Sequence, residues 1–186
     1  MAKFSPDPGP TPDADLVEAI GRGDVSAFDE LYGRYRDWVF RLAYRLTGDE
    51  HDAADVLQDA FLYLFDKAPR LQLYVKLTTF LYPAVKNLSL TILRERGRTV
   101  AAEPALERTL AAKTDPPGST RAELAVVLAG LPEEQRETLL MRFVNGMSLE
   151  EIAEVLRIPI GTVKSRAHNA IAALRRDPRT RAYFDL

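Results

Sequence analysis

Residues 148–175 hold the pattern that most constrains what this chain can fold into. Ser148 is placed to cap a helix, and Glu151 three residues later completes the reciprocal hydrogen bonds of a capping box. Ile152, Ala153 and Leu156 form the inward face of that helix, and the small Ala153 allows a crossing helix to approach closely. Arg157-Ile158-Pro159 is then a turn, because a proline pushes the residue before it out of helical geometry. A second helix is predicted from near Gly161 or Thr162, with Val163, Ala167, Ala170, Ile171 and Leu174 on its apolar side. Two short helices around such a turn make a helix-turn-helix, whose second helix enters the major groove by its N-terminal residues. Thr162, Lys164, Ser165, Arg166, His168 and Asn169 are the predicted groove face. Arg and Lys suit guanine edges or phosphates, and Asn suits adenine. The plainer reading of the same residues is a helical hairpin with a solvated basic face. Just upstream, Leu131-Pro132-Glu133-Glu134 opens another helix, with Leu139, Leu140, Phe143 and Val144 as its core face and Asn145-Gly146 as its end.

The remainder of the chain is also helical in pattern. Leu16, Val17 and Ile20 give one short apolar face, closed by Gly21 and Gly23. Ser26 is the expected cap of a long helix bearing Phe28, Leu31, Tyr35, Val39, Leu42 and Leu46, which Gly48 stops. A third helix is expected from about Asp52 to Lys67, with Ala53, Val56, Leu57, Ala60, Phe61 and Leu64 inward and Pro69 beyond it. Leu71, Leu73, Val75 and Leu77 alternate with polar residues, but a lone strand has no partner here, so the stretch reads as a loop with one buried side. Thr78 or Thr79 is the expected cap of a fourth helix carrying Leu81, Val85, Leu88 and Ile92, with a bend at Pro83. Between Gly97 and Ser119 the Ala-, Thr-, Pro- and Gly-rich composition reads as a flexible linker with room for a short helix around residues 104–113. The fold class is therefore all-α, with two small helical domains. The expected divisions are a disordered Pro-rich tail over 1–14, a first domain over 15–98, a linker over 99–119, a second domain over 120–176 and a C-terminal tail over 177–186.

Composition removes several classes of function. The chain has no cysteine, which excludes disulfides, thiolate metal sites and a Cys nucleophile, and fits a reducing cytoplasm. No apolar run approaches the ~20 residues of a membrane span, and the Pro- and Asp-rich N-terminus lacks the apolar core of a signal peptide. There is no Gly-rich phosphate loop and no Ser-centred nucleophile motif. His51-Asp52 with Asp55 spells a fragment of the HD-phosphohydrolase metal motif, but the only other histidine is His168 in the second domain. Those residues read instead as a helix N-terminus enriched in acids. Neither a metal nor another cofactor is expected.

LPEEQRETLLMRFVNGMSLEEIAEVLRIPIGTVKSRAHNAIAALR resembles region 4 of bacterial RNA polymerase sigma factors, most closely the extracytoplasmic-function (ECF) group. AFDELYGRYRDWVFRLAYRLTGD, DAADVLQDAFLYLF and FLYPAVKNLSLTILRER resemble region 2 of the same group. The resemblance covers about Asp15 to Arg176. It implies a sigma factor whose first domain binds core RNA polymerase and the −10 promoter element and whose second binds the polymerase flap and the −35 element. It also implies an anti-sigma factor as regulator and no catalytic step of its own. Carried over by motif, Asp52, Asp55, Gln58 and Asp59 match the core-binding helix, where the three aspartates would form an acidic stripe at three- and four-residue spacing. Lys86 and Asn87 match the DNA-facing helix, and Arg94, Arg96 and Arg98 are expected at phosphates. Tyr74, Phe80 and Tyr82 lie beside these bases, an interleaving that suits single-stranded DNA, although Phe80 fits the core better.

Four features depart from the family pattern. Arg157 stands in the turn where the family has Gly, Asn169 and Ile171 replace frequent basic residues, Pro83 lies inside a helix, and the 68–77 loop lacks Gly- and Arg-rich character. The alternative they leave open is a sigma-like mimic that binds an anti-sigma factor without binding a promoter. The net charge of −2 looks unsuited to DNA until it is divided. Residues 1–30 carry two basic and seven acidic side chains, residues 31–98 eleven and eight, residues 131–156 two and six, and residues 157–181 seven and one. The average conceals a basic second helix and tail beside an acidic scaffold, as bridging two unlike partners requires.

Overall fold

In the computed structural model, residues 6, 9–97 and 120–181 are described, with side chains in the second stretch from residue 123 onward. They fall into two compact units, one within residues 1–100 and the other within 101–186. Among the described residues every regular element is helical. The candidate helix at 104–113 lies outside them, as do residues 1–5, 7 and 8 of the Pro-rich tail.

The first unit is built on one long helix. α1 spans Asp13–Gly21, α2 spans Val25–Thr47, α3 spans Glu50–Lys67, a 3₁₀ turn covers Ala68–Arg70, and α4 spans Leu77–Glu95. α2 buries Leu31, Tyr35, Trp38, Val39, Leu42 and Ala43. Against it lie Val56, Ala60, Phe61 and Leu64 of α3 and Leu77, Leu81 and Val85 of α4. α1 adds Leu16, Val17 and Ile20. It also runs against the 3₁₀ turn so closely that a Cβ on Gly21 would meet the Ala68 carbonyl oxygen at 2.9 Å. Gly48 ends α2 in the left-handed region, φ 72°, its N–H bonded to the Tyr44 carbonyl at 2.8 Å, as the sequence predicts.

Three helix starts differ from expectation. Asp24, not Ser26, caps α2: its carboxylate accepts from Ser26 N at 2.9 Å and Ala27 N at 3.3 Å. Asp49 caps α3 in the same way, through His51 N and Asp52 N. In both cases an aspartate reaches two orphan amides of the first turn, where the Ser26 hydroxyl merely donates to Asp24. Neither Thr78 nor Thr79 caps α4; both are buried inside its first turn, which begins at Leu77. Pro83 is accommodated within a continuous α4, whose flanking Leu81, Tyr82 and Val85 are buried and hold the helix against its neighbours. Residues 71–76 form no strand, and the half-buried Leu71, Leu73 and Val75 alternate with the exposed Gln72, Tyr74 and Lys76.

A polar cluster ties the chain before α1 to α2. The Arg34 guanidinium, 6% exposed, pairs with Asp13 and with Glu30 at 2.7 Å and donates to the Thr11 carbonyl at 3.0 Å. The Tyr35 hydroxyl donates to the other oxygen of Asp13. Burial, followed by the Asp13 hydrogen bond, pushes the Tyr35 phenol well above its ordinary range.

The second unit contains α5 (Thr120–Ala129), α6 (Glu133–Leu139), α7 (Leu149–Leu156), α8 (Ile160–Arg176) and a final turn α9 (Pro178–Arg181). Its core joins Ala125, Val127, Leu128 and Leu131 to Leu139 and to Ala170 and Leu174 of α8. The helix after Pro132 does not keep one register. Residues Leu140–Val144 adopt π geometry, with Asn145 N bonded five residues back to the Leu140 carbonyl at 2.9 Å. The wider turn rotates the helix face, so Met141 is buried and Phe143, expected in the core, is 48% exposed. Asp177 caps α9, accepting from Arg179 N, Nε and Nη2, and these bonds draw its carboxyl down to about 2. Thr180 is buried beside it and donates to the Leu174 carbonyl, so part of the expected tail closes the unit.

Arg157 takes the left-handed conformation, φ 54°, ψ 46°, while Ile158 N bonds to the Ala153 carbonyl at 3.1 Å. That is the closure glycine normally supplies, and a side chain there costs about 1 kcal/mol of strain. Arg157→Gly is therefore expected to stabilise the second unit by about 1 kcal/mol; denaturant-dependent hydrogen exchange of the α7 and α8 amides measures it, and slower exchange is the expected result. The buried Tyr35 makes a pH-dependent prediction. Above about pH 10 the unfolded chain's tyrosine loses its proton while the folded one keeps it, so stability falls as pH rises. Tyr35→Phe is expected to be less stable than the parent at neutral pH but to lose less stability between pH 9 and 11, read by thermal melting.

Candidate functional site

The helix-turn-helix places its polar residues where the sequence puts them. The capping box is complete: Glu151 N donates to Ser148 Oγ at 3.1 Å and Ser148 N donates to Glu151 Oε2 at 2.6 Å. α7 ends at Leu156, three residues form the turn, and α8 starts at Ile160. Val163, Ala167, Ala170 and Leu174 point inward, which leaves Lys164, Ser165, His168 and Asn169 exposed and Thr162 half-buried. Arg166 differs from them. It is 21% exposed, and its Nη2 lies 2.6 Å from Glu134 Oε2 at the start of α6. The Glu150 carboxyl at the start of α7 is lowered by its own backbone amide and then by Ser148, with Lys164 a smaller contributor.

The predicted acidic stripe on α3 is redrawn by burial. Asp55 is half-exposed, and Gln58 and Asp59 are exposed. Asp52 is fully buried and forms an ion pair with Arg96 just past the end of α4. Arg96 also reaches Asp55 at 3.8 Å. Of the i, i+3 and i+7 aspartates two are on the open side of α3, and Asp52 sits on the inward side beside Ala53 and Val56. The same pair takes up Arg96, expected at a phosphate. Of the HD-like fragment, Asp52 is taken up by Arg96, while His51 lies 3.9 Å from Asp55; among the described residues no three His, Asp or Glu side chains are grouped to hold a metal ion.

On α4, Asn87, Thr91 and Arg94 share one exposed face, with the Thr91 hydroxyl bonded to the Asn87 carbonyl at 3.0 Å, and Lys86 is half-buried beside them. Arg98 lies outside the described residues. Of the three aromatic residues in the loop and α4, Tyr74 is exposed, Tyr82 is buried, and Phe80 is half-buried in a stack on Tyr63 with centroids 5.7 Å apart. Tyr82 is therefore not positioned to receive a base.

Residues 31–99 match the family described as Sigma-70 region 2, and residues 121–174 match Sigma-70, region 4. The chain is 32% identical over 164 residues to the ECF RNA polymerase sigma factor SigM of Mycobacterium tuberculosis, covering 88% of this chain and 83% of that protein. It belongs to the ECF group of the sigma-70 family. Its fold is shared with CnrH, solved in complex with the cytosolic domain of CnrY, at 24% identity and a TM-score of 0.63, covering 93% of this chain and 97% of that one. The sigma factor RpoE of Bartonella quintana, solved with the anti-sigma factor NepR, gives a TM-score of 0.57 at 20% identity over 80% of this chain and 94% of that one. The sigma factor binds core RNA polymerase and directs promoter recognition and initiation, and its family is one of non-catalytic initiation factors. Among the described residues no helix is long and apolar enough to cross a membrane.

Two of the contacts that decide the site cannot be read from spacing. Arg96 and Asp52 are far apart in sequence, as are Arg166 and Glu134, so neither pair obeys a helical i, i+4 rule. Removing Arg96 leaves the buried Asp52 carboxylate without that counter-charge. Arg96→Ala is expected to destabilise the first unit by about 2–3 kcal/mol, below the range for a fully buried pair because Arg96 is one-third exposed. Chemical denaturation checks this; a loss of DNA binding with no loss of stability would instead make Arg96 a phosphate contact.

Proposed function

We propose that the two units of this sigma factor divide its partners by charge. The exposed face of α3, with Asp55, Gln58 and Asp59, meets core RNA polymerase. The exposed face of α8, with Thr162, Lys164, Ser165, His168 and Asn169, meets the −35 duplex, and Asn87, Arg94 and Lys86 of α4 face the −10 region. The observation that carries the reading is the α8 face itself: a capped helix-turn-helix that buries its apolar side and leaves a polar, basic side to solvent. Asp52 and Arg96 act within the fold, joining α3 to the end of α4. The chain performs no catalytic step, since the polymerase supplies the chemistry, and it works in the cytoplasm where that polymerase is. An anti-sigma factor is its regulator, in keeping with the RpoE–NepR complex that shares its fold.

Transcription with purified core polymerase on genomic fragments tests the whole reading, and promoter-specific transcripts are expected. Their absence, with anti-sigma binding retained, would make the chain a sigma-like mimic. Asp59→Lys places a positive charge in the acidic face and is expected to weaken core binding by at least about tenfold. Helicity is expected to be unchanged, because Asp59 is exposed. Competition against the parent protein for core polymerase measures the loss.

A further inference from the structure

Arg96 and Arg166 are both predicted DNA contacts, and both are held by carboxylates, but the two pairs differ in burial. Asp52 is fully buried under Arg96, so separating that pair strands a charge inside the unit. Arg166 and Glu134 are another matter. The Glu134 side chain is 69% exposed, and Arg166 is 21% exposed. With its carboxylate open to water the pair is worth little more than a surface one, and a competing anion can displace that carboxylate. Glu134 approaches one terminal nitrogen, Nη2, of a guanidinium that belongs to the N-terminal half of α8, the part that enters the groove. A duplex phosphate arriving there meets an arginine already facing an anion.

We propose that Glu134 is an internal competitor for DNA: its carboxylate occupies Arg166 in the free protein, and duplex binding must exchange that carboxylate for a phosphate. Glu134 thereby lowers the affinity of the helix-turn-helix for DNA of any sequence, because phosphates carry affinity without sequence information. The exchange also hides one cation from the salt dependence. The phosphate that gains Arg166 releases a counterion, while the Glu134 carboxylate that loses it attracts one from solution, and the two changes offset each other. This inference rests on the reading of α8 as the DNA-facing helix.

The test uses the full chain and a fluorescein-labelled mixed-sequence duplex, titrated by anisotropy over a range of salt concentrations. Glu134→Gln keeps the shape and removes the charge; it is expected to tighten binding about two- to fivefold, the size of an exposed ion pair. It should also steepen the logarithmic salt slope by up to about one unit. Glu133→Gln removes a neighbouring charge that has no part in the Arg166 pair and is expected to do less. In an Arg166→Ala background the gain from Glu134→Gln should vanish. A gain that persists without Arg166, or that Glu133→Gln reproduces in full, would overturn the proposal in favour of general repulsion. Unchanged or weaker binding by Glu134→Gln would also overturn it. Lys164→Ala separates the two readings: it should weaken binding and flatten the slope by about one unit. Should it do neither, α8 is not the DNA face and the inference falls with that reading; should it do both while Glu134→Gln does nothing, only the competition is wrong.

Discussion

The ion pair between the buried Asp52 and Arg96 ties the start of one helix of the first unit to the end of another. Asp52 lies in the first turn of α3, and Arg96 lies just after α4, so the pair binds the start of one helix to the finish of another. A fully buried carboxylate is tolerable only with such a partner. Its position also decides which side of α3 is free. With Asp52 turned inward beside Ala53 and Val56, the outward face begins at Asp55 and continues through Gln58 and Asp59. The acidic face offered to a partner is thus narrower than the run of aspartates, and its N-terminal limit is set by the core.

The second unit depends on a different constraint, the left-handed residue between its two signature helices. Arg157 takes a conformation that suits glycine, yet Ile158 still closes onto Ala153 and α8 still starts after Pro159. The turn is held from both sides, by the capping box that fixes the start of α7 and by the burial of Ile152 and Val163 around it. A local strain of about 1 kcal/mol is small against such burial, so the turn closes without a glycine. A departure that looks damaging in sequence is energetically minor and leaves the start of α8 where the motif predicts it.

How much of the molecule is legible in its sequence depends on the range of the interactions involved. Helix faces, the Ser148 capping box, the Gly48 stop and the half-buried loop at 71–76 all arise from neighbours a few residues apart, and periodicity reports them directly. The Asp24 and Asp49 caps are equally local; each stands one residue ahead of its helix, and the signal is an aspartate with two free amides to accept. Phe143 departs from its expected burial because a π turn adds a residue to the helical repeat and rotates the face, which no apolar count reveals. The Arg96–Asp52 and Arg166–Glu134 pairs are hidden for a further reason. Each joins separate helices, so the charge of the residue is visible in the sequence and its partner is not.

That distinction changes how a basic face should be counted. Residues 157–181 carry seven basic side chains against one acidic, but this excess does not equal the charge that the face presents to solvent. Arg166 faces Glu134 from α6, and the Glu150 carboxyl of α7, lowered first by its own amide and by Ser148, is lowered further by Lys164. Both acids stand in the first turns of their helices, where the positive end of the dipole favours them whatever lies nearby. The placement that stabilises α6 and α7 therefore also brings carboxylates to the basic helix packed against them. Helix stability and the charge of the basic face are set by the same residues, and that face inherits a limit from the way its scaffold is capped.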